Sequence, residues 1–188
     1  MTATAGEART GAVRAARPHR DGVATQSLGL WIFIASEAFL FLILIATRYL
    51  LIGRERPIEV EQLLGAAVTT VLLSSSATAY TGLRALRRGD EAAYRRWIRL
   101  TLALGVAFLV GLSLEWAEGF GAFPPGRGYG SVFFALTGVH GFHVASGLVV
   151  LALVLRSGRT TWPATAAVRY WTFVDAVWLF IYPTLYLV

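Results

Sequence analysis

The run from Leu28 to Leu51, LGLWIFIASEAFLFLILIATRYLL, is largely apolar and carries an acid, Glu37, inside it. At about 1.5 Å of rise per residue it is long enough to cross a hydrocarbon core about 30 Å thick, and Glu37 falls roughly 13 Å along it, near mid-depth. A charged acid at that depth costs roughly 2.5 to 3.5 kcal/mol on insertion scales. The carboxyl is therefore expected to be protonated at neutral pH, paired, or both, and the rest of the chain has to supply the groups that cover it.

Composition points the same way. Over 188 residues the chain is 56% hydrophobic with a mean hydropathy of +0.59, which describes a membrane protein rather than a domain with its own aqueous core. All 17 basic residues are arginine and the net charge is +6. In a soluble chain that balance would suggest nucleic acid; here it reads as membrane orientation, and no nucleic-acid partner is expected. The absence of cysteine removes disulfides, thiolate metal sites and a cysteine nucleophile.

Residues 1–27 have no apolar period and read as a mobile cytoplasmic tail, with His19 as a solvated side chain and Arg9, Arg14, Arg17 and Arg20 favouring an anionic leaflet. After Leu28–Leu51, four further apolar runs follow at approximately Glu61–Leu83, Ile98–Leu114, Gly130–Leu155 and Val168–Val188. The expected fold is all-α: a polytopic membrane protein in which residues 28–188 form one five-transmembrane-helix bundle. The tail, the 84–99 loop and the 156–169 loop hold most of the arginines; Arg48, Arg54, Arg56 and Arg127 fall on the other side. By the positive-inside rule the N-terminus is cytoplasmic and the C-terminus outside. Small residues recur every four positions at Thr70, Ser74, Thr78 and Gly82, at Ala103, Ala107 and Gly111, and at Thr137, Gly141 and Ala145, a spacing that predicts close helix packing in lipid. No repeat relates the two halves, which argues against a secondary transporter. Pro183 lies deep in the last run and is expected to kink or loosen its final turns.

Few side chains suit chemistry. His140 and His143 are three apart and share a helix face; two imidazoles are too few for a metal unless Glu37 or Asp175 joins them. Asp175 sits on a face with Trp171, Trp178 and Tyr182. Glu37, one or both histidines, and Asp175 fall at similar estimated depths and are expected to meet in a buried polar layer, either fixing helix register or handling protons. Glu115 and Glu118 lie near the outer end of the third run, where they read as interfacial anchors beside Arg127, with Trp116, Phe120 and Phe123 as an aromatic belt.

The motifs WIFIASEAFLF, LLSSS, LEWAEGF, YGSVFFALTGVHGFHVASG and RYWTFVDAVWLFIY, in this order, give residues 28–188 a resemblance to subunit III of haem-copper terminal oxidases such as cytochrome c oxidase, in a short five-helix form. The resemblance implies that Glu37 is the family's intramembrane carbodiimide-reactive acid, His140 and His143 its paired histidines, Asp175 its last-helix acid and Glu115 the acid of its third-helix-end motif. It implies a subunit without a catalytic centre of its own, in a proton-translocating cytochrome c or quinol oxidase of the bacterial cytoplasmic (inner) membrane. Such a subunit binds no haem or copper, which belong to partner subunits. It flanks and stabilises catalytic subunit I beside other oxidase subunits, binds structural phospholipid, has been linked to oxygen entry through lipid, and supports proton uptake and resistance to turnover inactivation.

Three departures stand out. The chain starts where the third helix of the seven-helix form would start, so a two-helix arm is expected to be missing unless another chain supplies it. Thr172 stands where the family commonly has histidine, and Pro183 replaces a small or apolar residue. Two other readings are an accessory membrane subunit of a nitric oxide reductase, which shares these motifs, and, from a different class, a stand-alone proton channel or transporter using the same buried acids.

Overall fold

The computed structural model describes residues 18–53, 62–126, 128–157 and 161–187, and among them every regular element is helical. Five α-helices follow one another: α1 (Pro18–Leu51), α2 (Gln62–Arg87), α3 (Glu91–Ala122), α4 (Gly128–Ser157) and α5 (Thr161–Tyr182), the last running into a π-helical turn, Pro183–Leu187. Stretches in α1, α2, α3 and α4 are each long and apolar enough to cross a membrane. Most of the tail, together with Arg54, Arg56, Glu61, Arg127 and Arg159, lies outside the described residues.

Helices extend past the apolar runs because an apolar count stops at the lipid interface while the backbone ladder does not. Thus α1 opens at Pro18, a residue suited to a first helical turn, and α3 opens at Glu91. Between α2 and α3, Gly89 takes a left-handed φ of 82° that lets the chain reverse at once. Asp90 then caps α3, its carboxylate accepting from the Ala93 N–H at 2.8 Å. Pro183 has no N–H to give to the preceding turn, and the chain widens there into the π turn; the expected loosening takes that form.

The centre of the bundle is Trp171, fully buried. A Cβ at Gly105 of α3 would lie 2.6 Å from its ring, and one at Gly147 of α4 2.9 Å, so both glycines make room for the indole. Its Nε1–H donates to Ser75 of α2 at 2.9 Å. One side chain of α5 therefore touches three helices.

The small-residue strips are only partly where close approach occurs. Thr70, Ser74, Ala103 and Ala107 face outward, while Gly65, Gly82, Gly105 and Gly111 are buried against Tyr186, Trp97, Trp171 and Val68. A row of every fourth residue turns about 40° around the helix per step, so a strip that begins on one face ends on another.

Candidate functional site

Helices α1 and α4 bring Glu37 and His143 together: Oε2 of the acid lies 2.9 Å from Nε2 of the imidazole. The other ring nitrogen, Nδ1, lies 2.7 Å from the Val139 carbonyl one turn earlier. A carbonyl only accepts, so Nδ1 carries a proton, and one more proton lies between Nε2 and Oε2. Whether this is a neutral acid donating to a neutral imidazole or an imidazolium donating to a carboxylate, the pair sums to zero charge. A neutral pair avoids the cost of a lone charge in lipid. The ring of Phe41 packs edge-on against His143 at 5.0 Å. Beside the pair, Ser146 donates to the His143 carbonyl at 2.8 Å and lies 2.9 Å from the Tyr170 hydroxyl of α5.

Asp175 is held differently. Its Oδ2 accepts a short hydrogen bond from Ser76 of α2. On the same seam Trp171 donates to Ser75 and Trp178 to Thr69, each at 2.9 Å. The seam thus joins α2 and α5 by three side-chain hydrogen bonds. His140 is fully buried among rings, 4.8 Å from Trp178, 5.8 Å from Phe108 and 6.1 Å from Phe41. Neither of its nitrogens, nor Oδ1 of Asp175, has a hydrogen-bond partner among the described residues. Of the four groups expected in one polar layer, Glu37 pairs with His143, Asp175 accepts instead from Ser76, and His140 stands apart among rings. Phe41 packs edge-on against both imidazoles, and the Trp178 ring lies against His140 at a tilt of 34°.

A second polar cluster lies toward the C-terminal end of α5. Glu115 is buried and accepts from the Tyr186 hydroxyl at 2.6 Å, whereas Glu118 is exposed. The two acids had the same interfacial expectation. They part because α3 continues to Ala122, which leaves Glu115 nearly two turns inside the helix, and because the π turn delivers a phenol to it. Tyr129 donates to the Leu185 carbonyl at 2.6 Å, and Gln62 to that of Tyr186 at 3.3 Å, so the last turn is tied to α2 and α4. Arg48 is fully buried, donating to the Gly53 carbonyl with its guanidinium 5.2 Å from the Tyr129 ring. Trp116 donates to Thr137 at 3.0 Å, Phe120 stacks on Phe134 at 4.5 Å and Phe123, at the C-cap of α3, meets the Phe133 ring at 5.1 Å, so all three aromatics read as a belt fasten the end of α3 to α4.

Ser76, Arg48, Tyr129 and Tyr186 were not singled out from the sequence as site residues. For Ser76 the signal was present in the LLSSS run. For the tyrosines none was, since their partners are a carbonyl and an acid on other helices. As ligands for haem or copper the described residues do not fit: His143 has both nitrogens engaged, His140 is enclosed by rings, and no three His, Asp or Glu side chains gather.

Comparison with known proteins gives one family. The sequence profile described as cytochrome c oxidase subunit III matches residues 15–188. The chain is 41% identical over 130 residues to cytochrome c oxidase subunit 3 of Corynebacterium diphtheriae, covering 64% of this chain and 63% of that one. It is 34% identical over 177 residues to the "Probable cytochrome c oxidase subunit 3" of Nocardia farcinica, covering 86% and 87%. With cytochrome c oxidase subunit 3 of Synechocystis it shares 31% over 187 residues, 92% of this chain and 79% of that one.

Proposed function

This chain belongs to the cytochrome c oxidase subunit III family, and from that premise we propose that it serves as a non-catalytic subunit of a bacterial aerobic respiratory oxidase. It flanks and stabilises the catalytic subunit, binds phospholipid and supports proton uptake, with haem and copper held by partner chains. It sits in the cytoplasmic membrane with five spans, the N-terminus inside and the C-terminus outside; the charge asymmetry of the loops supports that orientation.

The observation that carries this reading is the use to which His143 is put. In a chain without cysteine, a mid-membrane imidazole is the most available ligand for a redox metal, and here both its nitrogens are spent on the Val139 carbonyl and on Glu37. What remains is a neutral two-residue unit sharing one proton at the junction of α1 and α4. Such a unit suits a supporting part in proton supply to a neighbouring chain better than a redox centre.

Purification in mild detergent tests the proposal. A tag on this chain is expected to bring along a haem-bearing oxidase subunit with oxygen-reducing activity. Recovery with a nitric oxide reductase, or recovery alone with proton flux in liposomes, overturns it.

A further inference from the structure

We infer that Tyr186 is a redox-active tyrosine with Glu115 as its proton acceptor, and that the pair quenches one-electron oxidants of the peroxyl-radical class that reach the end of α5 at Tyr182. The inference goes beyond the supporting part in proton supply and stands apart from the Glu37–His143 pair. Trp171, Trp178 and Tyr182 share one face of α5, and the π turn adds Tyr186 to them. The last three are in ring contact: Tyr186 lies 5.1 Å from Tyr182, stacked at 22°, and 6.4 Å from Trp178. Tyr182 is half-buried, whereas Tyr186 and Trp178 are fully buried. The ladder has one end that meets the surroundings and an interior that does not.

Rings this close let an electron cross, but a buried phenol is oxidised only if its proton leaves with the electron. The acceptor is in place. Glu115 Oε2 lies 2.6 Å from the Tyr186 hydroxyl, within the range of a hydroxyl bonded to a carboxylate and within reach for direct proton transfer. The Tyr186 ring is held in position, since a Cβ at Gly65 would lie 2.7 Å from it and Gln62 donates to the Tyr186 carbonyl. A peroxyl radical at Tyr182 takes one electron from the stack and one proton from interfacial water, and becomes a hydroperoxide. Tyr186 returns that electron to Tyr182, its O–H bond breaks, and the proton forms a new O–H bond on Glu115. Tyr182 ends unchanged. The products are a hydroperoxide, a neutral tyrosyl radical and a carboxylic acid, and the carboxylate charge is cancelled by the proton it receives. An indole is harder to oxidise than a phenol whose proton has a base to go to, so Trp178 closes the inner end and the radical rests at Tyr186.

The test uses the full chain, free of haem, in lipid nanodiscs. Because the sequence has no cysteine, Leu187→Cys, at an exposed position, takes a single ruthenium polypyridyl label whose flash-generated Ru(III) is the one-electron oxidant. Electron paramagnetic resonance is expected to show a neutral tyrosyl radical, and the flash-induced infrared difference spectrum a carboxylate becoming a carboxylic acid at the same rate. Tyr186→Phe keeps the ring and should abolish both signals although Tyr182 remains. Glu115→Gln keeps a hydrogen-bond acceptor without the base and should slow radical formation roughly a hundredfold, the lower end of what a positioned base contributes. A radical that survives Tyr186→Phe, or that forms as fast in Glu115→Gln, overturns the assignment. So does a Glu115 already protonated before the flash, which is read without substituting the acid and serves if Glu115→Gln fails to fold. In nanodiscs of unsaturated lipid given an azo initiator, the unlabelled chain should lengthen the lag before lipid peroxidation and Tyr186→Phe should shorten it. Equal lags overturn the peroxyl radical as the oxidant.

Discussion

Of the most apolar stretch of α2, 33% is buried; of the corresponding stretch of α1, 6% is. Both are apolar and long enough to span a bilayer, so the difference is not hydrophobicity. In lipid, apolar surface gains nothing by leaving acyl tails for another helix, and association has to come from shape and from hydrogen bonds. The α2–α5 unit has shape: glycines at 65, 82, 105, 111 and 147 receive neighbouring side chains, and indole N–H groups lock onto Thr69 and Ser75. Among its described residues α1 has no glycine contact, and its packed side is narrow. Its buried positions among the described side chains are Ile34, Phe41 and Arg48, one every seventh residue, with Glu37 between the first two. The lesson is that α1 is pinned at a few points and leaves the rest of its surface, Phe39, Ile43 and Leu50 among it, to lipid or a partner.

If that contrast holds, truncating the centre of the bundle should do the most damage. Trp171→Ala removes a fully buried indole and orphans the Ser75 contact, a change expected to cost about 3–5 kcal/mol. In a thermal scan of the detergent-solubilised subunit that corresponds to a fall in Tm of roughly 10 °C. A fall of only about 2 °C would mean that the glycine-lined contacts are not what holds α2–α5 together.

Glu37→Leu should act next most strongly and only on α1. It leaves Nε2 of His143 without its partner, at a cost of about 1–3 kcal/mol. Because the chain has no cysteine, spin labels can be placed in pairs at exposed positions without background. Labels at Leu40 and Phe142 should report a broadened α1–α4 distance, while labels at Leu73 and Val106 keep a sharp α2–α3 distance. Equal broadening of both pairs would erase the distinction between a pinned helix and a packed unit.

The same contrast explains what the sequence reveals. Five helices and their order follow from hydropathy and from Gly, Pro and Arg at the breaks, because the bilayer imposes a length. Which faces meet does not follow. On α1 apolar residues occur all round, so only Glu37 marks a buried side, and Arg48 in the last turn looks like an interface charge until Gly53 and Tyr129 are seen around it. Spacing alone places His140 and His143 on one face; which of them takes the acid depends on the rotation of α1, and Asp175 turns toward Ser76 because α5 packs on α2. Glu115 shows the limit most clearly, since its partner Tyr186 is 71 residues away in a turn created by Pro183.

Smaller effects distinguish the end of the bundle from the exposed face of α1. Tyr186→Phe keeps the ring against Gly65 but removes the hydroxyl from which Glu115 accepts, and should cost about 1 kcal/mol if the acid is neutral and about 1.5 kcal/mol if it is ionised. The carbonyl-stretch region of an infrared difference spectrum between wild type and Glu115→Gln reads that ionisation directly. Ile43→Ala should do least. Its side chain is 64% exposed, and in the isolated subunit its loss should shift stability by no more than about 0.5 kcal/mol, as at any position that packs on nothing. Within the assembled oxidase the outcome depends on what covers α1. A partner helix there would make the same substitution weaken retention of the subunit during detergent washing, whereas acyl chains would fill the space and leave retention unchanged. A substantial loss of stability in the isolated subunit would show that α1 packs beyond the side along Ile34, Phe41 and Arg48, and the contrast with α2 would fail at its loosest point.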